Sequence, residues 1–268
     1  EHKDYLAMDI TVQAMAGVMN TTGVEGLPPM KAGPAISDFF GGIHLYAAVV
    51  TALMQREQTG DGCILDVAMQ DSVFPTLATI IGAYYYHDRE VPVRNGNKHP
   101  ALTMAPYNVY ATKDGYVAII CIRDGHWRSL IEAIDRNDLA AAEKYETMLQ
   151  RAGLMDEVDT IVSEWTETKT NSEALGVLQK AGVPSAIVRN VEELLTDSHL
   201  HNRGMLRNIQ HPDLGEIALP NSPINIAFGD VTEPDPAPEL GMSNDKVFGE
   251  LLGLSSAELQ DLANEKVI

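Results

Sequence analysis

Apolar and polar positions are most regularly arranged between Gly33 and Asp71. A short polar turn at Ser37-Asp38 opens a long apolar run with helical spacing, which ends in charged residues and Thr59-Gly60. Residues 63–69 then alternate as in a short strand, and Gln70-Asp71-Ser72 opens a second apolar helix that reaches Tyr86. The pattern predicts the order turn, helix, strand, helix.

The same periodicities predict the elements of the remaining chain. A short helix is predicted over 9–19, and a hairpin over 107–120 turns at Asp114-Gly115. Helices are predicted over 127–134, 138–151, 155–167, 172–181 and 191–195, with a strand over 183–188. The C-terminal part predicts two strands within 203–226, an acidic proline linker over 232–238, and helices over 243–252 and 255–264. Ser255 and Glu258 have the spacing of a capping box for the last helix.

Length and composition are those of an ordinary globular protein. The chain has 268 residues, of which 45% are hydrophobic, so there is room for one large domain or two modest ones. No unbroken apolar run is long enough to cross a bilayer and no basic-then-apolar leader precedes the first helix, so we expect a soluble, cytoplasmic protein without a membrane partner.

The charge balance limits the partners of the chain. Its net charge of -19, from 19 basic and 38 acidic residues, would repel nucleic acid and anionic lipid, and we expect no nucleic-acid partner. Cys63 and Cys121 lie in strand-like apolar segments, which predicts buried free thiols in a reducing compartment. The spacing of His199, His201 and His211 gives no support to a metal site, and no metal is expected.

Asp38 is the candidate catalytic residue, with two interpretations. As part of the polar turn, Asp38 or Ser37 could cap the long helix. Alternatively, a carboxylate beside Phe39-Phe40-Gly41-Gly42 could sit where bulky rings exclude water and glycines let a ligand approach the backbone. Spacing alone does not separate these two interpretations.

Two segments, GPAISDFFGG (33–42) and TGDGCILDVAMQDSV (59–73), resemble the class III CoA-transferase family of formyl-CoA transferase and carnitine CoA-transferase type. The likeness extends to DITVQAMAGVMNTTG, to RNGNKHPALTMAPYNVYATKDG and on to the last residues. The resemblance implies that Asp38 is the nucleophile. It places Leu6, Ala7, Met8 and Asp9 against coenzyme A, and Met69 close to the bound thioester. From glycine position alone, the N–H groups near Gly41 and Gly42 could stabilise oxyanions.

The resemblance also implies an α/β fold and a domain organisation. Residues 1–87 would be the remaining, C-terminal part of a Rossmann-like large domain, followed by a linker over 88–105. Residues 106–203 would form a small α+β domain, residues 204–238 a linker with short strands, and residues 239–268 helices that return to the large domain. In the family two chains interlock as a homodimer. The abrupt start at Glu1 and the lack of a basic cluster suggest that an N-terminal CoA-binding half precedes this segment.

The activity implied is the transfer of CoA from an acyl-CoA donor to a carboxylic acid acceptor through an aspartyl-CoA thioester on Asp38. One alternative is an acyl-CoA racemase of the same superfamily. Racemases carry a His-Asp pair where this chain has Met8-Asp9, and a thioether cannot move a proton. The other alternative is a non-catalytic segment that contributes only fold and dimer surface. The chain also lacks the glycine-run lid of formyl-CoA transferases, which argues against an oxalate or formate substrate.

Overall fold

The structure is a computed structural model that describes residues 2–90, 94–140, 142–224 and 236–268. The chain divides into two compact units, Glu1–Val188 and Arg189–Ile268, which are described separately. The structure mixes helices with small antiparallel sheets, as the α/β prediction requires at its coarsest level. The finer division into five segments remains a prediction.

The first unit begins with helices. They are α1 (Asp9–Met15), α2 (Val18–Thr21), α3 (Ile36–Thr59), α4 (Met69–Val73) and α5 (Ala78–Tyr86), with a 3₁₀ turn at Phe74–Leu77 between the last two. The predicted 9–19 helix is interrupted at Gly17, whose φ of 86° is a left-handed conformation that glycine adopts readily. Pro75 lies in the 3₁₀ turn that divides the predicted 70–86 helix. Helix α3 forms as predicted and ends at Gly60, with φ 80°.

The strand predicted over 63–69 does not form, because 63–68 have no regular secondary structure and Met69 begins α4. A strand needs a neighbour for its backbone hydrogen bonds, and none of the described residues supplies one to this segment. Ile64 is 98% exposed and Cys63 is exposed as well, so the prediction of a buried Cys63 thiol is wrong. Cys121 is buried, as predicted.

A small sheet and four helices form the rest of the first unit. The sheet has the order β1 (Tyr107–Ala111), β2 (Tyr116–Ile120), β3 (Ser185–Ile187), and both pairings are antiparallel. Helices α6 (Asp124–Ala133), α7 (Met148–Gly153), α8 (Met155–Thr166) and α9 (Asn171–Lys180) accompany it. The hydrophobic core of this module includes Val117, Leu130, Val162 and Trp127, and Trp127 is almost fully buried.

The single helix predicted over 138–151 is wrong. The described residues there form 3₁₀ turns at Asn137–Leu139 and Glu143–Tyr145 and the short helix α7. Helix α7 has its own start, because the Thr147 hydroxyl accepts a hydrogen bond from the backbone N–H of Gln150 and the Gln150 side chain returns to the Thr147 N–H.

The second unit is smaller and holds a separate hairpin. Helices α10 (Val191–Leu195) and α11 (Ser198–Asn202) precede the antiparallel strands β4 (Leu206–His211) and β5 (Gly215–Pro220). A π-helix over Asp245–Leu251 and helix α12 (Ser256–Asn264) follow, and α12 has the predicted capping box of Ser255 and Glu258. Residues 232–235 of the predicted proline linker lie outside the described residues.

Helix α3 is unusually exposed for its apolar character. By length and composition alone it could cross a membrane, since a window of 18 residues within the helix has a mean hydropathy of 1.4. Only 11% of that window is buried. The sequence-based prediction concerned an unbroken apolar run, and it stays a prediction. Helix α3 mixes apolar residues with glycine, histidine and threonine and carries few charges.

Candidate active site

Asp38 lies in the first turn of α3 but does not cap it. The helix begins at Ile36 after Ala35, and Ala35 has no side chain that can accept a hydrogen bond, so the prediction that Ser37 or Asp38 is the N-cap is wrong. The Asp38 carboxylate is exposed and has no hydrogen bond or ion pair to any described residue. An acidic group here is favoured by the partial positive charge of the helix N-terminus. It is therefore a free carboxylate that a ligand can reach.

The cap of α3 comes from α1. The Oδ1 atom of Asp9 accepts a hydrogen bond from the backbone N–H of Ser37 at 2.9 Å, one of the donors that has no partner inside the helix. The Oδ2 atom of Asp9 accepts a hydrogen bond from Nε2 of Gln13 at 2.8 Å. Asp9 was predicted to contact coenzyme A, and the structure places it against the residue preceding Asp38.

Helix α4 reaches α3 one turn after Asp38. Gly41 is buried, and a Cβ atom added there would lie 3.0 Å from Cγ of Met69, so a larger residue would require the Met69 side chain to shift by a few tenths of an ångström. Asp38 and Gly41 are three residues apart and share one face of the helix. Asp38 is therefore on the side of α3 that Met69 approaches.

The predicted oxyanion role of Gly41 and Gly42 is not supported by their position. They are the sixth and seventh residues of α3, whereas only the first four N–H groups of a helix lack a partner within it. Gly42 has open space where a Cβ would stand, so no close packing requires glycine at that position.

A cavity of about 340 Å³ lies beside these helices, between the N-terminal segment, α1 and the start of α4. Three of the five residues predicted to contact coenzyme A line it, namely Leu6, Ala7 and Met69. Lys3 is also in the lining and supplies a positive charge. Met8 is 68% exposed and is not part of this lining. The cavity is mostly apolar, which suits a thioester chain more than a bare phosphate.

The aromatic pair after Asp38 does not shield it within the described chain. Phe39 is 71% exposed and Phe40 lies at the surface as well, so neither ring excludes water from the carboxylate here. The described residues contain no group of three His, Cys, Asp or Glu side chains that could hold a metal ion.

Sequence reasoning missed the groups that hold this site together. Gln13 is fully buried, and its Oε1 atom accepts a hydrogen bond from the backbone N–H of Ala32 at 2.9 Å. The signal available was the Asp-x-x-x-Gln spacing of Asp9 and Gln13, which puts two polar side chains on one face of a short helix. That spacing does not reveal the backbone groups that they bind.

Comparisons with known proteins agree on one family. The family model for CoA-transferase family III matches residues 1–244. Succinyl-CoA:mesaconate CoA-transferase of Haloarcula hispanica is 36% identical over 233 residues, which is 87% of this chain and 56% of the relative. Formyl-CoA:oxalate CoA-transferase of Streptomyces avermitilis is 32% identical over 288 residues, which is 100% of this chain and 68% of the relative.

A solved structure gives the same result for the fold. The crystal structure of a CAIB/BAIF family protein from Brucella suis matches with a TM-score of 0.78 and 28% identity, over 94% of this chain and 64% of that one. The chain thus spans a little more than half the length of the Haloarcula relative and about two thirds of the Streptomyces one.

Proposed function

The chain belongs to CoA-transferase family III, and we propose that the protein carrying it moves CoA from an acyl-CoA thioester to a free carboxylic acid through a covalent intermediate on Asp38. The observation that carries the proposal is the position of Asp38. Its carboxylate is exposed and unpaired among the described residues, on the face of α3 that Met69 approaches. Met69, Leu6 and Ala7 line the neighbouring cavity, which would hold the pantetheine end of coenzyme A.

The first half of the reaction loads the enzyme. The Asp38 carboxylate attacks the thioester carbonyl carbon of the donor, the carbon–sulfur bond breaks, and a mixed anhydride and CoA thiolate result. The thiolate then attacks the aspartyl carbonyl of the anhydride. This step releases the donor as a free carboxylate and leaves an aspartyl-CoA thioester. A carboxylate suits this role because it is already ionised at neutral pH and needs no base to activate it.

The second half reverses these steps with a different acid. The acceptor carboxylate attacks the aspartyl thioester, CoA thiolate leaves, and a second anhydride forms. The thiolate attacks the acyl carbon of the acceptor, which gives the product thioester and regenerates the Asp38 carboxylate. Each bond formed is matched by one broken between acyl groups of similar reactivity, so the cycle balances without an oxidant or a reductant.

The substrates follow by analogy with the relatives. The Haloarcula relative is named for succinyl-CoA and mesaconate, and we propose succinyl-CoA as donor and a small dicarboxylic acid as acceptor. The absence of a glycine run in the sequence disfavours oxalate, although the Streptomyces relative is named for it. A homodimer in the cytoplasm is part of the same proposal.

The racemase alternative has less support. A second base would be required at the position of Met8, whose exposed thioether cannot accept a proton. Incubation with an acyl-CoA in deuterated water, without an acceptor acid, distinguishes the two, because only a racemase would exchange the α-proton.

Mass spectrometry of the longer protein, meaning one of the relatives' full length that contains this chain, tests the proposed intermediate. Incubation with succinyl-CoA should add one CoA through a bond that hydroxylamine cleaves, and Asp38→Asn should abolish both the adduct and turnover. Asp61→Asn is the matched control, since Asp61 is an exposed acid just beyond the opposite end of the same 24-residue helix. Turnover retained by Asp38→Asn would remove Asp38 from the mechanism.

A further inference from the structure

Two side chains of α1 hold the segment that leads into α3. Gln13 accepts a hydrogen bond from the N–H of Ala32 and Asp9 accepts one from the N–H of Ser37, both at 2.9 Å. Gln13 Nε2 donates to Asp9 Oδ2 at 2.8 Å, so the two side chains also bind each other. The backbone is therefore fixed at both ends of residues 32–37.

The segment has no other side-chain acceptor for the donor at Ser37. The residue before the helix, Ala35, lacks a side-chain oxygen, and the hydroxyl of Ser37 itself is buried without a partner among the described residues. An ionised carboxylate makes a stronger hydrogen bond to a helix N-terminus than a neutral acceptor does. Asp9 therefore determines where the first turn of α3 begins. Asp38 directly follows Ser37, the residue that Asp9 binds.

We propose that Asp9 is a positioning residue for Asp38, and not a ligand of coenzyme A. The inference rests on the proposed function of Asp38 as nucleophile. Each carboxylate oxygen of Asp9 accepts a hydrogen bond from a protein donor, and the side chain is partly buried between α1 and α3. A further negative charge would also repel the phosphates of coenzyme A rather than bind them. By fixing the Ser37 peptide group, Asp9 orients the Asp38 carboxylate toward the thioester carbonyl.

The two roles of Asp9 predict different kinetics. A residue that binds coenzyme A equally in the ground state and the transition state changes KM, whereas a residue that orients the nucleophile changes the rate of the covalent step. Misplacement of a reacting group by about 1 Å costs on the order of 10²-fold in rate.

The experiment uses the longer protein with succinyl-CoA and measures three quantities, namely kcat, KM and the rate of adduct formation. We expect Asp9→Ala to slow adduct formation by about 10²-fold, with KM unchanged within about twofold. Asp9→Asn retains a carbonyl oxygen for the Ser37 N–H but loses the acceptor for Nε2 of Gln13, and we expect it to recover part of the lost rate. Asp245→Ala, which removes an exposed first-turn acid from the second unit, serves as the control and should match the unmodified protein.

A second variant keeps the inference testable if Asp9→Ala does not fold. Gln13→Met retains volume in the buried position but removes the bonds to Ala32 and Asp9, and it should slow adduct formation in the same sense without raising KM. A large rise in KM at an unchanged adduct rate would instead make Asp9 a CoA ligand and overturn the inference. Unchanged kinetics in Asp9→Ala would overturn it too. If Asp38→Asn still forms the adduct, the proposed function itself fails, whatever Asp9 does.

Discussion

The guanidinium of Arg151 is fully buried and joins several parts of the small module. Its Nη1 atom donates to the carbonyl of Tyr145 at 2.7 Å, its Nη2 atom donates to Oδ1 of Asp124 at 2.8 Å, and its Nε atom donates to the carbonyl of Ala105 at 3.2 Å. A buried charge is stable only when such partners satisfy it. Periodicity predicted Arg151 only as the last residue of a helix. Contacts between residues as far apart in sequence as Arg151 and Ala105 leave no local pattern.

The pair of Asp124 and Arg151 predicts how stability depends on pH. The hydrogen bond from Arg151 holds the pKa of the Asp124 carboxyl below its ordinary value. Since the unfolded chain binds this proton more readily, the pair stabilises the fold above about pH 4 and its contribution is lost as the pH falls through the lower, folded pKa. We expect the melting temperature to fall on acidification, and Asp124→Asn to reduce that dependence. Calorimetry from about pH 6 to about pH 3 measures the melting temperature, with Asp61→Asn as control. If the melting temperature falls equally steeply with pH in Asp124→Asn and in the unmodified chain, the pair does not cause the pH dependence.

The crossing of α3 and α4 depends on one glycine and not on its neighbour. Gly41→Ala would place a methyl group 3.0 Å from Met69, whereas Gly42→Ala would enter open space. Alanine in a helix interior gains roughly 0.5–1 kcal/mol over glycine, and overpacking costs about 1–3 kcal/mol. We expect Gly42→Ala to raise the free energy of unfolding of this chain and Gly41→Ala to lower it or leave it unchanged. Denaturant titration of both variants checks this, and equal stabilisation by the two would show that α4 does not approach α3 closely.

Elements defined by local signals were predictable from the sequence, and those defined by partners were not. Helix α3, the hairpin of β1 and β2, and α12 formed as predicted, because periodicity, the Asp-Gly turn and the capping box are all local. Residues 63–69 alternate as in a strand, but no strand among the described residues pairs with them. Likewise, the sequence motif indicated Asp38 as a candidate, whereas the cap from Asp9 joins residues 28 apart and leaves no local pattern.

At the scale of the whole molecule, the apolar face of α3 stands out. Its exposed side chains continue over successive turns and include Phe39, Ile43, Tyr46 and Met54. In the segment that follows α3, Ile64 is almost fully exposed. Patches of this kind mark surfaces that another protein segment or a membrane covers. The Haloarcula relative is longer than this chain, which spans 56% of it, so a protein of that length has additional residues that could cover the patch.

Reactivity of Cys63 distinguishes a protein cover from a membrane. Cys63 is exposed beside Ile64, while Cys121 is buried and its burial raises the pKa of the thiol to about 12. A water-soluble thiol reagent should therefore modify Cys63 and spare Cys121 in the 268-residue chain. In a protein of the relatives' full length, without lipid, we expect Cys63 to be protected as well.

The net charge of -19 should keep the chain off anionic vesicles in a flotation assay. Protection of Cys63 only when vesicles are added would instead make α3 a membrane-bound helix, and persistent reactivity in the longer protein would mean that the face stays open for a separate partner.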